Sequence, residues 1–115
     1  KSIGGSGLPK RRMSREWQAV LKKLEAGDEN SLKLAVIEAD KVLDNILKKS
    51  NYPGENMGER LKHITSAQIA NINDVWEAHK ARNSVVHDPD FRLTRSQAEA
   101  AIKIYQRALE NLEAL

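Results

Sequence analysis

The chain has 115 residues, a formal net charge of +3 and no cysteine. This length bounds it to one domain, and the lack of cysteine excludes disulfides, thiolate catalysis and cysteine-based zinc sites. Because the chain is 30% charged and only 4% aromatic, its composition favours a helical domain over a β-sandwich. The lack of cysteine also fits a reducing compartment, so a cytoplasmic location is expected.

The first 13 residues combine small and basic side chains. Gly4-Gly5-Ser6-Gly7 has little to bury, and Lys10-Arg11-Arg12 concentrates positive charge. We therefore predict a flexible basic segment or linker over residues 1–13, followed by a single helical domain over residues 14–115. A basic run of this kind is also typical of the cytoplasmic flank of a membrane span, so an upstream membrane anchor outside this chain, tethering the domain to the inner face of a membrane, is compatible with the sequence.

Two amphipathic helices are predicted next. Ser14 is placed to cap the first helix and Gly27 to end it. Asp28 to Ser31 offer caps for a second helix that runs to about Ser50. The second helix carries one wide apolar stripe, which comprises Leu32, Ala35, Val36, Ala39, Val42, Leu43, Ile46 and Leu47.

The second helix is also apolar on its far side, at Leu34 and Ile37. Such a helix needs cover on two faces, either from the rest of a bundle or from a second protomer, and a homodimer is the favoured partner arrangement. Two carboxylates, Glu38 and Asp40, flank the main stripe about 100° to either side of Ala39. They either pair with cations of the bundle, or one of them holds an arginine of the helix described below.

A short helix and two longer ones complete the expected fold. Asn56 caps the short helix, and Asn71 is placed to cap the helix that must end at Asp88, ahead of Pro89. Thr94 forms a capping box with Gln97 at the start of the last helix. The last helix has an apolar stripe of Ala98, Ala101, Ile102, Tyr105, Ala108, Leu109 and Leu112. The sequence thus predicts an all-α, up-and-down bundle of four main helices and one short helix.

The helix that ends before Pro89 carries polar groups where a core helix should be apolar. Its apolar stripe is predicted to run through positions 72, 75, 76, 79, 82/83 and 86, which puts His79, Arg82 and Asn83 on or beside the buried face. Buried polar side chains of this kind need hydrogen-bond partners, so they belong either to a structural network or to a site.

Arg82, Asn83 and His87 are the residue types that metal-independent phosphodiester cleavage uses. An arginine forks onto phosphate oxygens, a histidine exchanges protons near neutral pH, and an asparagine both donates and accepts. Arg82 and His87 point about 140° apart on a straight helix, so they converge only if the last turn loosens or if two protomers join their motifs.

Arg82-Asn83, three residues and then His87 resemble the R-N-x-x-x-H signature of the HEPN superfamily, small all-helical domains that often dimerise and in many members are metal-independent ribonucleases. The strings AVIEADKVLD, GERL and WEAHKARNSVVHD resemble a bacterial HEPN-like family of uncharacterised proteins, and the likeness covers roughly Trp17 to Leu112. It implies RNA as a partner and attack by the RNA 2′-hydroxyl. His87 would transfer the proton, Arg82 would stabilise the phosphorane, and Asn83 would orient His87 or the phosphate.

Glu38, Asp40 and His79 are expected to form a network that supports these motif residues. The alternative is a non-enzymatic helical dimerisation or interaction module that keeps the motif as a buried polar network. Whether the chain is an enzyme is left open by its residues. No cofactor is expected. No metal is expected either, since His63, His79 and His87 do not have the spacing of metal ligands.

Overall fold

Five helices make up the regular structure of the chain in a computed structural model, which describes the backbone of residues 3–115 and the side chains of residues 14–115. Within these residues there is no strand, and the all-α prediction is confirmed. The helices are α1 (Ile3–Ala26), α2 (Glu29–Lys49), α3 (Met57–Leu61), α4 (Ile72–His87) and α5 (Arg95–Asn111).

Helix α1 begins earlier than the sequence predicted. It starts at Ile3, so Ser14 lies inside the helix and does not cap it. A serine caps only where the chain before it leaves the helical conformation, and here the backbone is already helical. The flexibility predicted for residues 1–13 stays a prediction. Residues 1–2 lie outside the described backbone, and the side chains of residues 3–13 lie outside those that are described.

The predicted end of α1 is confirmed at Gly27, whose φ of +81° is easy only for a residue without Cβ. A Cβ at Gly27 would lie 2.5 Å from a terminal nitrogen of Arg95, the first residue of α5. That guanidinium donates a hydrogen bond to the carbonyl of Glu25 at 3.3 Å. The end of α1 is therefore fixed against the start of α5.

Most of the predicted caps are present. Asp28 accepts hydrogen bonds from the Ser31 hydroxyl at 2.7 Å and from the Ser31 amide at 3.1 Å, and these lower the pKa of its carboxyl. Thr94 and Gln97 form the full capping box at the start of α5. Asn71 is the second exception after Ser14, because its side-chain amide does not cap α4 but donates to the Ile104 carbonyl at 3.2 Å. Asn71 therefore links α4 to α5.

Helix α2 is the central element, because it packs against each of the other four helices. Its predicted stripe is buried except for Ile46, which is half-buried. On the far side, Ile37 packs against the core and Leu34 is 46% exposed. No helix in the described part of the chain combines the length and the apolar character needed to cross a membrane.

The buried face of α4 differs from the predicted one. Ile72, Val75 and His79 are buried as expected, but Val86 is 43% exposed and Val85 is buried instead. Trp76 is only half-buried. The buried face of α4 is rotated from the predicted one because α4 packs against α2 and α5. One edge of α4 is left open toward α3.

Candidate functional site

A cleft of about 570 Å³ lies where α2, α3 and α4 meet. The predicted residues Arg82, Asn83 and His87 all line it, together with Asp40 and His79. The complete lining consists of Asp40, Lys41, Asp44, Glu55, Asn56, Met57, Gly58, Trp76, His79, Arg82, Asn83 and His87. This is the place where the polar groups of α4 meet those of α2.

Asp40 is the buried anion at the inner end of the cleft, with only 3% of its surface exposed. Its Oδ2 accepts a hydrogen bond from the Tyr105 hydroxyl at 2.6 Å and lies 2.8 Å from His79 Nδ1. Because a carboxylate oxygen can only accept, His79 Nδ1 carries the proton. Burial, and then the negative charge of Asp40, raise the pKa of Tyr105. One carboxylate thus joins α2, α4 and α5.

Arg82 lies beside Asp40 without a full set of partners. Its Nε is 3.8 Å from Asp40 Oδ1, which is too long for a hydrogen bond, and this buried nitrogen has no hydrogen-bond partner among residues 14–115. One terminal nitrogen donates to Asn83 Oδ1 at 3.1 Å. With 31% of its side chain exposed, the guanidinium keeps donors available to the cleft.

His79 and Trp76 form the wall of α4 beside Arg82. The two rings meet edge to face, with centroids 6.4 Å apart and an interplanar angle of 74°. On the opposite side is Gly58 of α3, where an added Cβ would lie 3.7 Å from His79 Nε2. The Nδ1 side of the imidazole is therefore held by Asp40, and Nε2 faces α3 across the cleft.

His87 is the last residue of α4, is exposed, and lines the same cleft. It forms no hydrogen bond within the described side chains. Helix α4 stays regular through His87, and Asp88 then leaves the helix with φ −117° and ψ 100°, as the following proline requires. Arg82 and His87 of one chain therefore share a cleft without a loosened last turn and without a second protomer.

Glu38 is not part of this cluster. It pairs with Lys23 of α1 at 3.3 Å, with more than a third of its side chain exposed. The two flanks of the α2 stripe face different neighbours: the flank at position 38 meets α1, and the flank at position 40 meets α4 and α5. The supporting network that was predicted to include Glu38, Asp40 and His79 contains only the latter two.

Three contributors were missed from the sequence. Tyr105 was assigned to the apolar stripe of α5, although a tyrosine in a core needs a partner for its hydroxyl. Asp44 lies one helical turn after Asp40, a spacing that puts both on one face of α2. Arg60 of α3 donates from Nε to Asp44 Oδ1 at 2.7 Å, and no local pattern indicates a contact across 16 residues.

The charges around the cleft nearly balance. The lining contains two cations, Lys41 and Arg82, and three carboxylates, Asp40, Asp44 and Glu55. Arg60, which lies behind the lining, forms an ion pair with Asp44. A groove for a long polyanion would carry an excess of cations. This cleft instead offers only two cationic groups in its lining, Lys41 and Arg82.

Among the described residues, no three histidine, aspartate or glutamate side chains lie close enough together to hold a metal ion. Comparison of the chain with protein-family models, with curated proteins and with solved structures finds no match.

Proposed function

We propose that the chain is a HEPN-like up-and-down helical bundle that binds RNA in this cleft and cleaves it without a metal ion. The observation that carries the proposal is one cleft that holds two histidines beside Arg82, whose guanidinium forms a single hydrogen bond, to Asn83, within the described residues. The R-N-x-x-x-H pattern of Arg82, Asn83 and His87 supports the same reading.

An unpartnered guanidinium donor is costly inside a protein. Leaving a buried polar group without a partner costs about 1 to 3 kcal/mol, and more for a charged group. The Nε atom itself is buried beside Asp40, so a ligand in the cleft would be bound by the exposed terminal nitrogens of the guanidinium. A phosphate has oxygens spaced to accept two parallel hydrogen bonds from an arginine. Arg82 would bind the scissile phosphate in this way and stabilise the charge that develops on it.

The positions of the other two motif residues support a role for each. Asn83 accepts a hydrogen bond from Arg82, so it orients the guanidinium, which differs from the expectation that it would orient His87 or the phosphate. His87 lies exposed at the edge of the cleft, where it can exchange a proton with both substrate and water. In the proposed reaction the RNA 2′-hydroxyl attacks the phosphorus and His87 takes part in the proton transfer.

The proposal includes a homodimer and a cytoplasmic location, free or tethered to the inner face of a membrane. Leu34, 46% exposed on α2, is the apolar group that a second protomer would cover. Sedimentation of the purified chain measures this directly. A monomer at high concentration would contradict the dimer and leave the cleft of the single chain intact.

The experiment that tests cleavage uses a mixed RNA pool in a buffer with chelator and no added metal. Wild type should cleave the pool, and His87→Ala should lose about 10²-fold or more, which is the usual contribution of a proton-transfer residue. His63→Ala is the matched control, since His63 is exposed and lies outside the cleft. Equal inactivity of wild type and His87→Ala would contradict the proposed cleavage.

A second candidate function is a non-enzymatic interaction module. It is favoured by one observation, namely that Asp40 joins α2, α4 and α5 through His79 and Tyr105, as a purely structural network would. In that case Arg82→Ala should lower the free energy of unfolding by about 3 kcal/mol, because it leaves a buried carboxylate without its cation. For a cleavage site the same change should abolish activity and leave the protein folded.

A further inference from the structure

The fold holds His79 in one tautomer and leaves its second nitrogen open. Asp40 Oδ2 accepts from Nδ1 at 2.8 Å, so the neutral ring carries its lone pair on Nε2. No protein donor binds Nε2 within the described side chains. A carboxylate that orients an imidazole from behind is the arrangement by which enzymes prepare a histidine to accept a proton.

The surroundings of Nε2 leave room for a reacting group. Gly58 of α3 faces this nitrogen, and an added Cβ would lie 3.7 Å from it and 3.4 Å from Asn56 Oδ1. The backbone does not demand glycine here, because Gly58 is not among the residues with positive φ. The missing side chain keeps open the space in front of Nε2, in the same cleft as Arg82 and His87.

We propose that His79 is a second catalytic histidine, which acts as the base for the RNA 2′-hydroxyl, while His87 is the acid. This inference deepens the proposed function and rests on it. Asp40 is a positioning residue, since it holds His79 and does not touch the substrate. The substrate class is RNA rather than DNA, because a base at Nε2 needs a 2′-hydroxyl to deprotonate.

The reaction balances with these two groups. Nε2 of His79 takes the proton of the 2′-hydroxyl, and the 2′-oxygen forms a bond to phosphorus. The bond from phosphorus to the 5′-oxygen breaks, and that oxygen receives a proton from His87. The products are a 2′,3′-cyclic phosphate and a 5′-hydroxyl, and exchange of protons with water restores both imidazoles.

The burial of the two histidines supports this division of roles. His79 is 7% exposed and lies against a buried carboxylate, so the imidazolium that forms on proton transfer is stabilised at once by Asp40. His87 is exposed and forms no hydrogen bond in the part of the chain whose side chains are described, so it can be reprotonated by solvent after each turnover. Arg82 lies with both histidines in one cleft, where the phosphate would sit.

The test separates a base from an acid by means of the leaving group. One substrate is an ordinary RNA, whose 5′-oxygen leaves well only when it is protonated. The other is uridine 3′-(4-nitrophenyl phosphate), whose leaving group departs without a proton, so the acid matters less and the base still matters. Both are assayed in chelator, with folding of every variant checked by circular dichroism and thermal unfolding.

His79→Asn is the variant of choice, because its amide nitrogen can replace Nδ1 as the donor to Asp40 while Nε2 is lost. It should stay folded and lose about 10²-fold or more on both substrates. His87→Ala should lose at least about tenfold less on the nitrophenyl substrate than on RNA. His63→Asn, the same change at an exposed site outside the cleft, is the control.

Each outcome decides a different point. A folded His79→Asn that cleaves both substrates at nearly the wild-type rate would overturn the role of His79 and leave cleavage by the Arg82 and His87 pair standing. Equal losses for His87→Ala on the two substrates would overturn the division into base and acid. A wild type that cleaves neither substrate would overturn the proposed function itself, and this inference with it.

Discussion

Two arginines with very different surroundings lie near each other in this fold. Arg60 on α3 is 6% exposed, and it donates from Nε to Asp44 at 2.7 Å and from a terminal nitrogen to the Gly54 carbonyl. Arg82 on α4 is 31% exposed, and within the described side chains its Nε has no hydrogen-bond partner and its one hydrogen bond is to the neighbouring Asn83. Both contact carboxylates of α2, one helical turn apart.

The difference separates an arginine used for structure from one held ready for a ligand. The hydrogen bonds of Arg60 fix α3 and the preceding loop on α2, and they leave little of its guanidinium open. The donors of Arg82 are held at the edge of a cleft. The nearby buried carboxylate of Asp40 offsets the positive charge of the guanidinium but accepts no hydrogen bond from it. Substitutions at the two positions should therefore affect different properties.

Arg82→Gln should produce the largest change, and it should appear in activity. Loss of a preorganised donor to a charged transition state usually costs about 10² to 10³ in rate, so we expect a loss of that size in RNA cleavage. The free energy of unfolding should fall by about 1 kcal/mol or less, because Asp40 keeps its two other donors. Cleavage assays in chelator and urea unfolding measure the two quantities on one preparation.

The opposite pattern would break the comparison. If Arg82→Gln lowered the free energy of unfolding by about 3 kcal/mol, as expected when a buried pair is broken, Arg82 would be a structural arginine like Arg60. The cleft would then belong to the interaction module, the second candidate function.

Arg60→Gln should produce the next largest change, and it should appear in stability. The substitution removes the partner of Asp44, whose side chain is 25% exposed, so we expect a loss of about 3 kcal/mol. In urea unfolding the midpoint should fall accordingly. Lys80→Gln is the control: its ion pair with Glu77 joins two side chains that are each about 70% exposed, and its loss should cost less than about 1 kcal/mol. A loss of that small size for Arg60→Gln would show that the pair with Asp44 is dispensable.

The contrast between the two arginines also shows what the sequence could predict. The stripes of α2 and α5, the capping box at Thr94 and the end of α1 at Gly27 depend on residues close in sequence. They are found, except that Ile46 and Leu112 of the two stripes are only half-buried. The motif could be placed on α4 because hydrophobic periodicity and Pro89 bound that helix. Local patterns of this kind specify helices, caps and the faces that they bury.

Contacts between helices could not be predicted in the same way. Glu38 and Asp40 stand symmetrically about the α2 stripe, and only the packing of neighbouring helices puts one against α1 and the other against α4 and α5. The burial of Val85 in place of Val86 has the same origin, since it depends on how α4 is rotated against the core. These contacts between helices also decide which of the two arginines has its guanidinium held by hydrogen bonds.

Tyr105→Phe should produce a smaller change in stability. It tests the hydrogen bonds of Asp40, the carboxylate that lies beside Arg82. It removes one of two donors to a buried carboxylate oxygen, so we expect a loss of about 1 to 2 kcal/mol in the free energy of unfolding at neutral pH. A result within about 0.3 kcal/mol of wild type would mean that Asp40 does not depend on the hydroxyl.

The pH dependence of the Tyr105→Phe effect has a definite sign. The pKa of Tyr105 is raised by its burial, and then by the charge of Asp40, so the folded chain keeps the phenol proton above pH 10 and the unfolded chain releases it. The contribution of Tyr105 is therefore complete below about pH 10 and is lost as the pH rises further, by up to about 1.4 kcal/mol per pH unit. The wild type should lose stability faster than Tyr105→Phe above pH 10. Parallel curves would contradict this.

Gly58→Ala should have the smallest effect on stability and tests the region between the two arginines. Gly58 lies on α3, two residues before Arg60, and faces His79 across the cleft. Alanine favours a helix over glycine by up to about 1 kcal/mol, and the new methyl group would meet its neighbours at ordinary contact distances of 3.4 to 3.7 Å. The chain should therefore become slightly more stable in urea unfolding, and the Arg60 contacts should persist.

The same methyl group would stand in front of His79 Nε2, so cleavage of RNA should fall by about tenfold, or about 1.4 kcal/mol in the barrier. A variant that gains stability and loses activity would separate the structural side of α3 from the side that faces the cleft. Unchanged activity would mean that no reacting group needs the space in front of His79.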